Sequence, residues 1–188
     1  MQVIGIAGTN GSGKDTVMNW LAEKHGFYFA SATDMLGAEL DKRGLPRERE
    51  NKRNLSAEWR REQGLGVIVD KAIEAAKAAG FDKVVVGSIR NPGEVDRIHE
   101  LSGINIWIDS DPEIRYARIT SNARGRIEDQ KTYEQFLAEE AAEMQHSGDA
   151  STLSMGDVKA KSDRHINNNA NSIESFISLI EAELSDLL

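Results

Sequence analysis

Residues 8–16 read Gly-Thr-Asn-Gly-Ser-Gly-Lys-Asp-Thr and stand directly behind the apolar run Val3-Ile4-Gly5-Ile6-Ala7. Glycines at 8, 11 and 13 let backbone N–H groups turn inward around an anion, and a helical pattern begins immediately after them. A helix starting there adds the partial positive charge of its N-terminus. Lys14 closes the Gly8-x4-Gly13-Lys14 spacing and can extend an ammonium toward the outer phosphates of a triphosphate. This predicts a phosphate-binding loop in which Gly8, Asn10, Gly11, Ser12, Gly13 and Lys14 hold a nucleotide, with ATP as the expected donor. A dinucleotide fingerprint fits poorly, because it has no place for the lysine.

Asp15 follows Lys14 where that motif takes a hydroxyl. Two negative charges about 4 Å apart repel by roughly 4 kcal/mol at an effective dielectric near 20. A divalent cation between them reverses the sign. Asp15 and Thr16 are therefore the expected contacts for Mg²⁺, which keeps several waters and takes only one or two carboxylates. The alternative is that Asp15 only stabilises the helix N-terminus, by about 0.3–1 kcal/mol, and Thr16 meets the metal or caps the helix.

The elements that must carry this loop alternate between strand-like and helical patterns, which predicts an α/β fold with a parallel sheet between layers of helices. Strands are expected at 2–7, 27–30, 83–87, 104–108 and 164–167. Helices are expected at 15–25, 34–43, 56–79 with a break near Gly64–Gly66, 92–101, 112–122, 132–145 and 172–187. Two stretches read as excursions over the strand ends: 46–54, with Arg47, Arg49, Lys52 and Arg53, and 123–131, with Arg124 and Arg126. Ligands bind at the carboxyl ends of such sheets, so both are placed to cover one. The acidic run 138–144 reads as a solvated helix face. Trp59 either packs in the core or stacks on an acceptor base.

The 188 residues suffice for one core, and 1–188 reads as a single domain. A formal charge of −8 argues against a nucleic-acid partner, and the lack of cysteine excludes disulfides and thiolate sites. The chain enters its first strand without a basic leader, and no apolar run nears 18 residues, so no membrane and a cytoplasmic location are expected.

Phe29-Ala30-Ser31-Ala32-Thr33-Asp34-Met35-Leu36 resembles the acceptor-site segment of adenylate kinases. Gly13-Lys14-Asp15-Thr16 resembles the loop of phage-type deoxynucleoside monophosphate kinases, and Ser162–Asn169 the last strand and asparagine turn of dephospho-CoA kinases. The resemblance covers nearly the whole chain. It implies a three-layer P-loop fold with strand order 2-3-1-4-5, a lid near 120–147 and an acceptor segment near 31–66. It also implies roles. Asp34 would orient or deprotonate an acceptor hydroxyl, Arg90 would grip the acceptor's phosphate, and Arg124 and Arg126 would close over the transferring group. Arg118 would stand at the base of the lid, and Asn168 near the adenine.

Two positions depart from adenylate kinases. Gly37 replaces the arginine that holds the AMP phosphate, and Val86 replaces an aspartate on strand three. Arg47, Arg49, Arg60 and Arg61 are the candidates to take over from the first. The expected activity is transfer of the ATP γ-phosphoryl group to a nucleotide-like small molecule, with a (deoxy)nucleoside monophosphate first and dephospho-CoA second. The alternative of another class is a nucleotide-binding ATPase or switch without an acceptor.

Overall fold

A computed structural model of the chain describes residues 1–121, 131–145 and 148–188, so Arg124 and Arg126 lie outside the described residues. Strands β1 (Gln2–Gly8), β2 (Tyr28–Ser31), β3 (Lys83–Gly87), β4 (Ile104–Asp109) and β5 (Arg164–Asn167) form one sheet in the order β2-β3-β1-β4-β5. Every pairing is parallel, with Ile4 of β1 opposite Val85 of β3 and Ile104 of β4. Order and direction agree with expectation.

The helices are α1 (Lys14–His25), α2 (Ala32–Lys42), α3 (Arg49–Gln63), α4 (Val67–Ala78), α5 (Pro92–Glu100), α6 (Pro112–Ser121), α7 (Tyr133–Met144), α8 (Met155–Lys161) and α9 (Ile173–Leu184). Among the described residues, no helix is long and apolar enough to cross a membrane.

Alternation along the strands makes the three layers. Val3, Ala7, Val84, Val86 and Trp107 face one side, packed with residues of α4, α5 and α8. Ile4, Ile6, Val85, Ile106 and Ile108 face the other, packed with residues of α1 and α9. Because both faces are covered, β3 reads as an unbroken apolar run rather than an alternating one. A third cluster, with Leu36, Leu40, Leu55, Trp59 and Ile68, ties α2, α3 and α4 together. Trp59 is spent in that cluster, with the Lys71 ammonium 4.6 Å from its ring centroid.

Three boundaries differ from the sequence expectation for identifiable reasons. The basic stretch 46–54 is not a loop excursion throughout: α3 starts at Arg49, a turn and a half before the first buried apolar side chain, Leu55. Arginine and lysine support a helix but supply no apolar period to read. α2 starts at Ala32 rather than at 34, capped by Ser31, whose side chain accepts from the Asp34 N–H at 3.2 Å. The seven-residue α8 was not expected, being too short to show a period; Met155 and Val158 bury it.

Candidate functional site

The loop after β1 is built at the centre of the sheet's carboxyl edge, between β3 and β4. Gly8 (φ 139°) lies so close to β4 that a Cβ there would collide with the Ile108 carbonyl. Gly13 caps α1 with φ 95°, and a Cβ would stand 2.6 Å from Asn168 Nδ2. Both positions demand glycine for conformation and for space. The loop is also held by side chains. Ser12, fully buried, donates its hydroxyl to Thr9 O at 2.9 Å and so turns into the loop. Asn168 donates to Ser12 O at 2.8 Å. Arg118 reaches Ala170 O at 3.1 Å, Asn168 Oδ1 at 3.4 Å and Gly11 O at 3.5 Å. Both residues brace the loop against the turn after β5.

Lys14 Nζ folds onto Thr9 O at 2.5 Å. Burial lowers its pKa from the usual 10.5 to about 8, helped by the cations Arg90 and Arg115, while the carboxylates of Asp15 and Asp109 hold it up. Arg90 and Asp15 are thus both within electrostatic reach of the ammonium. Asp15 is exposed in the first turn of α1.

Asp109 and Arg115 support the loop and were not anticipated from the sequence. Asp109 Oδ1 accepts from the Thr9 hydroxyl at 2.8 Å, and Oδ2 accepts from Lys159 Nζ and the Trp107 indole at 3.2 Å. Burial opposes its charge, but these donors and the Ser110 N–H win and hold the carboxyl below its usual range. Arg115, only 2% exposed, donates to Ser110 O at 2.7 Å, touches Asn10 O at 3.5 Å and forks onto Glu140 of α7. The carboxyl end of β4 marks Asp109, since that edge of the sheet is where ligands bind. No local pattern marks Arg115.

The acidic run on α7 is only partly a solvated face. Glu139 is exposed, with Lys131 2.5 Å away, whereas half-buried Glu140 pairs with Arg115 and half-buried Glu143 with Arg49, Arg53 and Arg90. The partners of Glu140 and Glu143 come from distant elements, which is why the helix alone reads as exposed.

Across the cleft from the loop, β3 is followed by Ser88, whose left-handed φ of 64° is uncommon for a residue with a side chain. The turn leads to Arg90, whose backbone N–H donates to buried Glu94 at 2.8 Å. Arg60 is not available to an acceptor: it is 5% exposed and forks onto Glu94 at 2.7 and 3.1 Å. Arg47 packs against Gly37, where a Cβ would stand 3.3 Å from the guanidinium, and pairs with Asp41. Asp34, exposed in the first turn of α2, lies within electrostatic reach of Arg47. A cleft of about 1460 Å³ runs from Asn10 past Ser88 and Arg90 to Arg47, Arg49 and Arg53.

This sheet order, with the glycine-lysine loop at its centre, defines the fold of the P-loop small-molecule kinases. Solved structures agree at the level of fold. Shikimate kinase from Bacteroides thetaiotaomicron superposes with a TM-score of 0.59 at 16% identity, covering 98% of each chain. A gluconokinase from Sinorhizobium meliloti gives 0.54 at 16%, over 99% of this chain and 93% of that one. The AAA domain model AAA_18 matches residues 4–144. A UPF0200 protein of Pyrococcus abyssi is 31% identical over 99% of this chain and 97% of its own length. Another, of Pyrobaculum aerophilum, is 28% identical over 100% and 97%. The chain belongs to this AAA-domain family and to the UPF0200 proteins.

Proposed function

We propose that this protein transfers the γ-phosphoryl group of ATP to a nucleotide-like small molecule, a nucleoside or deoxynucleoside monophosphate. The supporting observation is the single cleft that joins the phosphate loop at Asn10 to the arginines at its far wall. A triphosphate on the loop and an acceptor phosphate on Arg90 would share that space. An acceptor oxygen would attack the γ-phosphorus as the bond to the ADP oxygen breaks, and positioning plus charge neutralisation carry such reactions. Arg47, lying over Gly37, supplies a guanidinium where the adenylate-kinase arginine is missing.

Lys14 would leave Thr9 O for the β- and γ-phosphates. Arg118 and Asn168 hold the loop's shape beside the expected adenine. Arg124 and Arg126 keep the role implied by resemblance, outside the described residues. Kinases of this fold generally use a divalent metal with ATP. The exposed Asp15 carboxylate, close enough to Lys14 to hold up its charge, and the Thr16 hydroxyl are hard oxygen donors that fit Mg²⁺. Such an ion would neutralise phosphate charge.

A hydroxyl acceptor such as dephospho-CoA is the second reading, supported by the exposed Asp34 carboxylate near Arg47. A hydroxyl needs a base within hydrogen-bond reach, and a phosphate does not. Incubation with Mg-ATP and a panel of nucleoside monophosphates and dephospho-CoA tests both, read as acceptor-dependent ADP release. Asp34→Asn separates them. A loss of about 10²–10⁴-fold marks a hydroxyl acceptor, and a several-fold loss marks a phosphate. ADP release that ignores every acceptor would overturn the transferase reading in favour of an ATPase.

A further inference from the structure

The carboxylate of Glu143 on α7 is shared by three guanidiniums from two other elements. Arg49 and Arg53 stand one turn apart on α3, the spacing that puts both on one helix face. Both pair with Glu143, Arg53 at 3.1 Å. Arg90, from the end of β3, reaches the other carboxylate oxygen at 3.4 Å. The Glu143 side chain is 19% exposed, against 39–49% for the three arginines, so the carboxylate is the inner member of the group. The three guanidiniums converge on this one singly charged carboxylate, and Arg49 also lies 4.0 Å from Glu139. A phosphate monoester, with three terminal oxygens and close to two negative charges, offers the same forks more acceptors and more charge.

We propose that Glu143 is a built-in stand-in for the acceptor's phosphate: it fills the Arg49–Arg53–Arg90 cradle while the cleft is empty and gives way to a phosphate monoester. This rests on the kinase reading only for what the ligand is, since the cradle and its carboxylate stand by themselves. The stand-in has two consequences. It taxes every anion by the free energy of displacing Glu143, and a dianionic phosphate overcomes that tax more readily than a carboxylate. It also links the two ends of the cleft. Glu140, one turn before Glu143, holds Arg115, and Arg115 touches Asn10 O of the phosphate loop. Departure of Glu143 from the arginines is therefore felt where the donor binds.

Inorganic phosphate is the probe, added to the full chain with the phosphate loop kept filled by Mg-ADP. Removing a competitor that occupies the cradle most of the time raises apparent affinity by the inverse of the free fraction, so Glu143→Gln is expected to bind phosphate about tenfold more tightly. Adding Arg53→Ala to that variant is expected to erase the gain, because a phosphate elsewhere would not notice Arg53. In the unaltered protein, amides of Glu139–Met144 are expected to exchange faster with deuterium when phosphate is saturating. Phosphate affinity unchanged by Glu143→Gln, or a gain that survives Arg53→Ala, would overturn the proposal. Should Glu143→Gln not fold, the exchange measurement decides, and α7 amides indifferent to phosphate overturn it. The acceptor panel is separate. An active kinase whose phosphate affinity ignores Glu143 sinks only the stand-in, and tighter phosphate binding without any transferase activity sinks only the kinase.

Discussion

Lys14 reports on the phosphate loop through its proton. With its pKa near 8, it is mostly neutral at pH 9, whereas bound phosphates would restore its charge. Nucleotide binding should therefore take up a proton above pH 8 and weaken as the pH rises further. Calorimetry in two buffers of different ionisation enthalpy reads this directly, and equal heats at pH 9 would contradict it. The sign for stability is opposite. Because the folded pKa lies below the unfolded one, the unfolded chain holds more protons between about 8 and 10.5, so the empty protein gains stability across that window. Asp15→Ala should raise the Mg²⁺ needed for half-maximal activity severalfold, and an unchanged requirement would leave the carboxylate a helix-end role. The loop residues were legible because their spacing is local. Asp109 and Arg115 were not, since their partners come from three other segments: Thr9 and Asn10 from the loop, Lys159 from α8 and Glu140 from α7.

The helices around the cleft are fastened by buried charge as much as by apolar contact. Arg60 on α3 and Glu94 on α5 form a pair whose side chains are 5% and 1% exposed. Glu94 also accepts from the backbone N–H groups of Arg90 and Asn91 at 2.8 and 3.1 Å, completing the capping box that starts α5. Arg60→Met would strand that carboxylate, which typically costs about 3–5 kcal/mol. A urea melt should show it, with Arg90 shifting as its anchor loosens. If the melt is unchanged, the cap alone holds Glu94. The central strands were readable from their β-branched runs, and α5 from the proline in its first turn. The start of α3 and the whole of α8 were not, because neither offers an apolar period long enough to stand out.

Net charge is −8, yet the arginines of α3 and of the turn after β3 gather on one wall of the cleft and are met by a carboxylate of α7. On the proposed reading, the protein keeps an anion site inside an acidic molecule by neutralising it internally. α7 is joined to the body through Glu140 on Arg115 and through Phe136, whose ring lies 5.3 Å from the Arg115 guanidinium carbon. Glu140→Gln should speed deuterium exchange over Tyr133–Met144 and leave the strands protected. Exchange that stays slow would mean the aromatic contact suffices. Charge patterning set the arginines of 46–54 over the strand ends and read the acidic run of α7 as a solvated face, since a helix's own residues do not reveal which distant cations it meets.

The phosphate loop, the parallel sheet and its helical layers followed from the order of residues alone, because each depends on neighbours within a few positions: glycine spacing, a lysine before a helix, runs of valine and isoleucine. The identity of the cap on α2, the burial of Arg60, the passage of Arg47 over Gly37 and the meeting of three arginines at Glu143 were decided by folding. Each is a contact between segments far apart along the chain, and only the packing of the helices on that sheet brings them within reach.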